Sequence, residues 1–153
     1  MEEGSPFAGH GFDTPPFSFS GQQLRARVID VYDGDTMSVV LPVGPTFYKF
    51  HVRLNGIDTS ELKSKGASRD KAVRARIQVL AALGVPPDRH ERKASQRYFD
   101  ENVTVVQLAC FDFEKYGRIL ANVYPMNSEE HLSATLLRLG LASPYTGGSK
   151  LPT

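Results

Sequence analysis

From Leu24 the chain alternates apolar and polar residues. In `LRARVIDVY`, Leu24, Ala26 and Val28 point one way, Arg25 and Arg27 the other, before Val31 and Tyr32. A period of two over that length predicts a strand with one buried face. `DGD` at 33–35 is a turn signal, `TMSVVL` resumes the strand pattern, and `LPVGPT` at 41–46 turns again. `FYKFHVRLNGI` completes a three-stranded meander. The period then lengthens. From Ser68 to Leu83 it predicts a helix with Val73, Ile77 and Leu80 on one face. Gly84 ends that helix, and Pro86 and Pro87 prevent its continuation. Residues 85–100 read as a basic, polar connection longer than the usual loop.

`NVTVVQLACF` at 102–111 and `ILANVY` at 119–124 are two further strands, joined by the turn `FEKYGR`. A last helix follows in `NSEEHLSATLLRLG`, with Asn127 and Glu130 in capping-box spacing and Leu132, Leu136 and Leu139 as its apolar stripe. Five short strands with a helix between the third and fourth predict a mainly β fold: a five-stranded OB-type barrel with two packed helices. The early connections are too short for the parallel crossovers of a doubly wound sheet. The expected organisation is a flexible N-terminal tail at 1–20, one domain at 21–146 and a C-terminal tail at 147–153. Phe7, Phe12, Phe17 and Phe19 make the first segment unusually apolar for a tail, which suggests that some of it packs on the domain.

Length agrees with one domain, since 153 residues bury a sufficient core without staples. The single cysteine, Cys110, permits no intrachain disulfide and reads as a core thiol. There is no apolar run of signal-peptide or membrane-spanning length, so the expected location is intracellular, in the cytoplasm. Net charge is only +1, yet residues 63–97 hold ten Lys/Arg against three Asp/Glu. Such a segment is either an ordinary solvated surface or a surface for a polyanion.

The candidate chemistry gathers around the meander. In antiparallel neighbours the start of the second strand lies near the end of the third, so Asp35 can face Asp58. Two facing carboxylates repel unless a proton or cation lies between them, and oxygen donors suit Ca²⁺ or Mg²⁺. Taken singly, `DGD` is a turn and `DTSE` a loop. Arg53, five residues before Asp58, and Arg118, closing `KYGR`, add forked donors that match phosphate oxygens. With Glu61 beside them to position or deprotonate a water, these groups suit phosphodiester hydrolysis.

The segments `VIDVYDGDTMSV`, `VRLNGIDTSE`, `EKYGR` and `LGLASPY`, in this order from Leu24 to Tyr145, resemble the staphylococcal nuclease (thermonuclease) family. The resemblance is to a compact variant lacking the long C-terminal helix. It implies a calcium-dependent nuclease acting on DNA and/or RNA with little sequence specificity and endonucleolytic action. Magnesium or manganese would be the alternative ions. It makes Asp35, Asp58 and the Thr59 carbonyl the metal ligands and Asp33 a supporting acid. Arg53 and Arg118 become phosphate-binding catalytic residues, Glu61 the water-activating acid, and Tyr116 and Tyr145 substrate contacts. The chain departs from the family at Ser60, where proline is usual, in a short run from Glu61 to the first helix, and in a spacing from Gly140 to Tyr145 one residue short. A monomer with no membrane partner is expected. The alternatives are a non-catalytic OB-type nucleic-acid-binding module and a structural or protein-interaction domain.

Overall fold

The computed structural model describes residues 4–145. The end of the expected domain at 146 and the expected tail at 147–153 lie outside the described residues. Strands β1 (Gln23–Val31), β2 (Thr36–Val43), β3 (Thr46–Leu54), β5 (Val105–Phe113) and β6 (Ile119–Pro125) close a barrel in the order β1-β2-β3-β6-β5. The OB-type barrel expected from the strand pattern is therefore present. All neighbours are antiparallel except β3 and β6, which run parallel through Val52↔Ile119 and Arg53↔Leu120. A two-residue strand, β4 (Ile57–Asp58), pairs with β7 (Ser143–Pro144).

The alternation seen in the sequence is what fills the barrel. Val28, Val31, Met37, Val39, Leu41, Val52, Leu54, Val106, Leu108 and Ile119 are almost wholly buried. Phe19 joins this core, stacking edge-on with Phe17 and Phe50, and Ser18 Oγ donates to Asp112 Oδ1 at 2.7 Å. Phe7 and Phe12 stay exposed. Cys110 is buried, which pushes its thiol up to about 11.

Among the described residues three α-helices flank the barrel, one more than the periodicity predicts: α1 (Gly66–Ala82), α2 (Arg92–Glu101) and α3 (Leu132–Arg138). The added one, α2, occupies the segment read as a connection. Glu91 caps it by accepting from Lys93 N and Ala94 N, and only Ser95 and Phe99 are buried. One large side chain, worth roughly 1.5–3 kcal/mol when buried, docks this otherwise polar helix on the barrel. Arg27 alternates with the buried Ala26 and Val28, as expected, and on that outer face it meets the end of α2, donating to Phe99 O at 2.8 Å and Asp100 O at 3.2 Å. A cation at a helix C-terminus completes its unpaired carbonyls.

The buried face of α1 also differs from the expected stripe. Ala72, Ala75, Val79 and Leu80 enter the core, while Val73 and Ile77 remain half-buried. Beyond its last residue Gly84 takes φ 84°, and Val85 N donates back to Leu80 O, so the stop at glycine follows the sequence. The capping box at Asn127 does not form. Asn127 lies in a left-handed turn, and α3 begins later, where His131 Nδ1 accepts from Ala134 N. Leu132 and Leu136 are buried, but Leu139 is exposed because the helix has ended, and Leu141 fills the core instead.

Candidate active site

The site begins at the β1–β2 turn. Its middle residue is glycine because the turn lies against two other elements. A Cβ on Gly34 would stand 2.7 Å from Ala75 Cβ of α1 and 2.9 Å from Thr59 Cγ2. This close approach brings the acids of the turn against the loop after β4. Asp35 is 7% exposed, and its Oδ2 accepts from Thr59 N at 3.1 Å. Asp33 Oδ1 accepts from Asp35 N at 3.1 Å. Burial, and then the neighbouring charge of Asp35, push the Asp33 carboxyl up to about 7.

The register of β2 and β3 sets Thr36 opposite Arg53, and Leu54 N donates to Asp35 O at 2.9 Å. Arg53 consequently opens onto both acids. Its Nη1 lies 3.2 Å from Asp35 Oδ2, and its Nη2 donates to Asp58 Oδ1 at 3.2 Å. A guanidinium thus holds the position between two carboxylates where a cation is needed. The three side chains are largely shielded from solvent, so loss of Arg53 alone would leave poorly compensated acids.

Arg118 reaches the same end of the barrel because the register sets the first residues of β6 beside the last of β3, with Val52 opposite Ile119 and Arg53 opposite Leu120. It is held by Glu114, with Nε to Oε1 and Nη2 to Oε2 both at 3.1 Å. This bidentate pair, followed by the more distant charges of Asp35 and Asp33, raises the Arg118 pKa. Burial works to raise Glu114, but the bonds from Arg118 outweigh it and hold the carboxyl below its usual range. Tyr116 is exposed, with the Arg118 guanidinium 5.8 Å from its ring centre. On the opposite side, β4–β7 pairing and the bond from Tyr145 N to Gly56 O seat Tyr145, whose ring centre is 5.7 Å from the Arg53 guanidinium.

All nine residues singled out in the sequence line one cleft of about 720 Å³: Asp33, Asp35, Arg53, Asp58, Thr59, Glu61, Tyr116, Arg118 and Tyr145. They are not bonded equally. Glu61 is exposed at the rim, and its carboxylate lies 3.7 Å from Lys63 Nζ. Lys115 and Glu114 also line the cleft and escaped the sequence reading. The opposite charges four residues apart in `EKYGR` were the available signal for Glu114.

Among the described residues no group of three or more His, Cys, Asp or Glu side chains converges as a metal cage. The cleft instead brings two carboxylates, Asp35 and Asp58, onto one guanidinium, that of Arg53. An all-oxygen donor set of this size fits a hard divalent ion that keeps waters and accepts substrate oxygens. It does not fit a closed structural zinc site.

A barrel whose open end gathers acids and arginines in one cleft defines an OB-type protein with the equipment for a phosphate-bearing ligand. The chain belongs to the staphylococcal nuclease homologue family, whose model matches residues 51–151. The match includes Arg53, Asp58, Glu61 and Arg118; Asp33 and Asp35 precede it. No curated protein matches the chain significantly. Membership in this family supports a nucleic-acid-related function. No helix among the described residues is long and apolar enough to cross a membrane.

Proposed function

We propose that the chain is a calcium-dependent nuclease that hydrolyses phosphodiester bonds of DNA and/or RNA, endonucleolytically and with little sequence preference. The observation that carries this reading is the Arg53 guanidinium between Asp35 and Asp58, in a cleft also lined by Arg118 and Glu61. Asp35, Asp58 and the Thr59 carbonyl would hold the ion, with Asp33 supporting Asp35. Bound calcium supplies Lewis acidity toward a non-bridging phosphoryl oxygen. Arg53, set between the two acids, would offer its guanidinium to the phosphate. Arg118, pre-aligned by Glu114, offers donors to the same phosphate.

Glu61 aligns or deprotonates the attacking water. The exposed rim position leaves its carboxylate solvated and open to a water. The two arginines neutralise the charge that builds on the pentacoordinate phosphorus, and the 5′ oxygen leaves, giving 3′-phosphate ends. Tyr116 and Tyr145 flank the phosphate and the nucleotide. Phosphate contacts of this kind carry no base sequence information, so weak sequence preference and strong salt dependence follow.

The test is the cleavage rate of a labelled DNA in calcium for the parent, Arg53→Ala and Arg118→Ala. Each substitution is expected to cost ~3–4 kcal/mol of transition-state stabilisation, by analogy with loss of one oxyanion donor. Rates within about threefold of the parent, equivalent to under ~1 kcal/mol, would remove the arginines from the mechanism. Tight binding without cleavage by the parent would leave the alternative, a non-catalytic nucleic-acid-binding module.

A further inference from the structure

Val73 and Ile77 belong to the apolar stripe of α1, yet the core takes the neighbouring face and leaves both half-buried. They line a separate groove of about 520 Å³, together with Tyr32, Leu62 and the arginines Arg69, Arg76 and Arg92. Two of its lining residues are chain neighbours of residues that line the cleft. Tyr32 directly precedes Asp33, and Leu62 directly follows Glu61. Three residues of chain span at most about 10 Å, so Tyr32 stands within that distance of Asp35.

The lining combines an aromatic ring, aliphatic side chains and surplus positive charge. Tyr32 is half exposed, and the Arg92 guanidinium lies 4.8 Å from its ring centre. Three arginines face one acid, Glu91, whose carboxylate is engaged in capping α2. Asp30 balances Arg92 from beside the groove, through bonds of 3.1 and 2.6 Å. Arg76 is fixed by Val31 O and Ser95 Oγ and serves as scaffold. Burial, and then the like charge of Arg92, hold the Arg76 pKa below its usual value.

We propose that this groove carries a single-stranded stretch of nucleic acid leading out of the cleft, with a base against Tyr32 and Arg92 and a backbone phosphate near Arg69. The proposal deepens the nuclease reading, on which the direction of the strand rests. A single strand suits the lining because unpaired bases expose stacking faces to Tyr32, Val73 and Ile77, whereas a duplex presents chiefly phosphates. Three arginines of the basic 63–97 segment, Arg69, Arg76 and Arg92, meet here.

The test is fluorescence anisotropy with the full chain in excess chelator, so that no strand is cut. The probes are labelled oligothymidylates of two and about twelve nucleotides, and a blunt duplex of the longer length. The variants are Tyr32→Leu, which keeps apolar bulk, and Arg69→Gln, which keeps a donor for Leu62 O, the carbonyl to which Arg69 Nη1 donates. Each should weaken the long single strand by about fivefold or more, the scale of one lost base stack, and leave the dinucleotide within about twofold. Unchanged binding of the long strand in both variants would overturn the proposal. So would equal losses on long strand and dinucleotide, or equal losses on single strand and duplex. Selective loss on the long strand in the variants, together with a parent that cuts nothing in any divalent ion, would uphold the groove while removing the nuclease reading.

Discussion

Glu114 grips Arg118 with two parallel hydrogen bonds of 3.1 Å, so the second arginine of the cleft is aligned before any ligand arrives. Glu114 Oε1 also accepts from the backbone N–H of Arg118 and Tyr116, at 2.9 and 3.0 Å, and thereby fixes the whole turn. Glu114→Gln keeps the shape and loses the charge-assisted pair. Cleavage by this variant should fall about tenfold, since hydrogen bonds to a charged group are worth ~1.5–3 kcal/mol. The loss should be smaller than for Arg118→Ala and lie in kcat more than in KM. Parent-like kinetics for Glu114→Gln would show that the pair does not align Arg118 for the reaction.

Gly34 makes a second prediction. A methyl group there meets Ala75 Cβ and Thr59 Cγ2 below contact distance, and neither is the end of a flexible side chain. Gly34→Ala should destabilise the fold by about 1–3 kcal/mol, in the range of overpacked cores, read as a lower Tm. It should also weaken activity at temperatures where the variant is fully folded, because Thr59 N donates to Asp35. A parent-like Tm would mean that the turn and α1 yield easily.

The barrel was legible because its inward and outward residues alternate with so few exceptions, from Val28 through Val39 to Val106 and Leu108. The meeting of Asp35 and Asp58 was legible for the same reason, through the antiparallel neighbours β2 and β3. The helix α2 was not. Its apolar face is short, essentially Tyr98 and Phe99, and the polar run of Arg92, Lys93, Gln96 and Arg97 after two prolines reads as a connection. The partners of Arg27 on the outer face of β1 were missed with it, since they are carbonyls at the end of α2. The pairing of β4 with β7 spans two residues per strand and leaves no periodic signal, although it seats Tyr145. The capping box at Asn127 competed with a tighter turn and lost, and His131 took the cap.

The third prediction concerns pH. Arg138 first, and then Thr135, hold the Glu130 carboxyl down to about 2, from an ordinary value of 4.5. A depressed folded-state pKa stabilises above the unfolded value and loses that contribution as pH falls through the folded one. Glu130→Gln should therefore lower Tm at neutral pH. Its difference from the parent should shrink as pH falls from about 4.5 to about 2 and vanish below. The effect is small, because the pair is at the surface. A difference that grows on acidification would contradict this role.

The most direct measurement is cleavage of end-labelled DNA and RNA by the parent and Glu61→Gln across calcium, magnesium, manganese and excess chelator. The account predicts cutting by the parent in calcium, none in chelator, and a loss of about 10²-fold or more for Glu61→Gln, the scale of a removed general base. Undiminished cutting in chelator, or a Glu61→Gln variant as active as the parent, would contradict it.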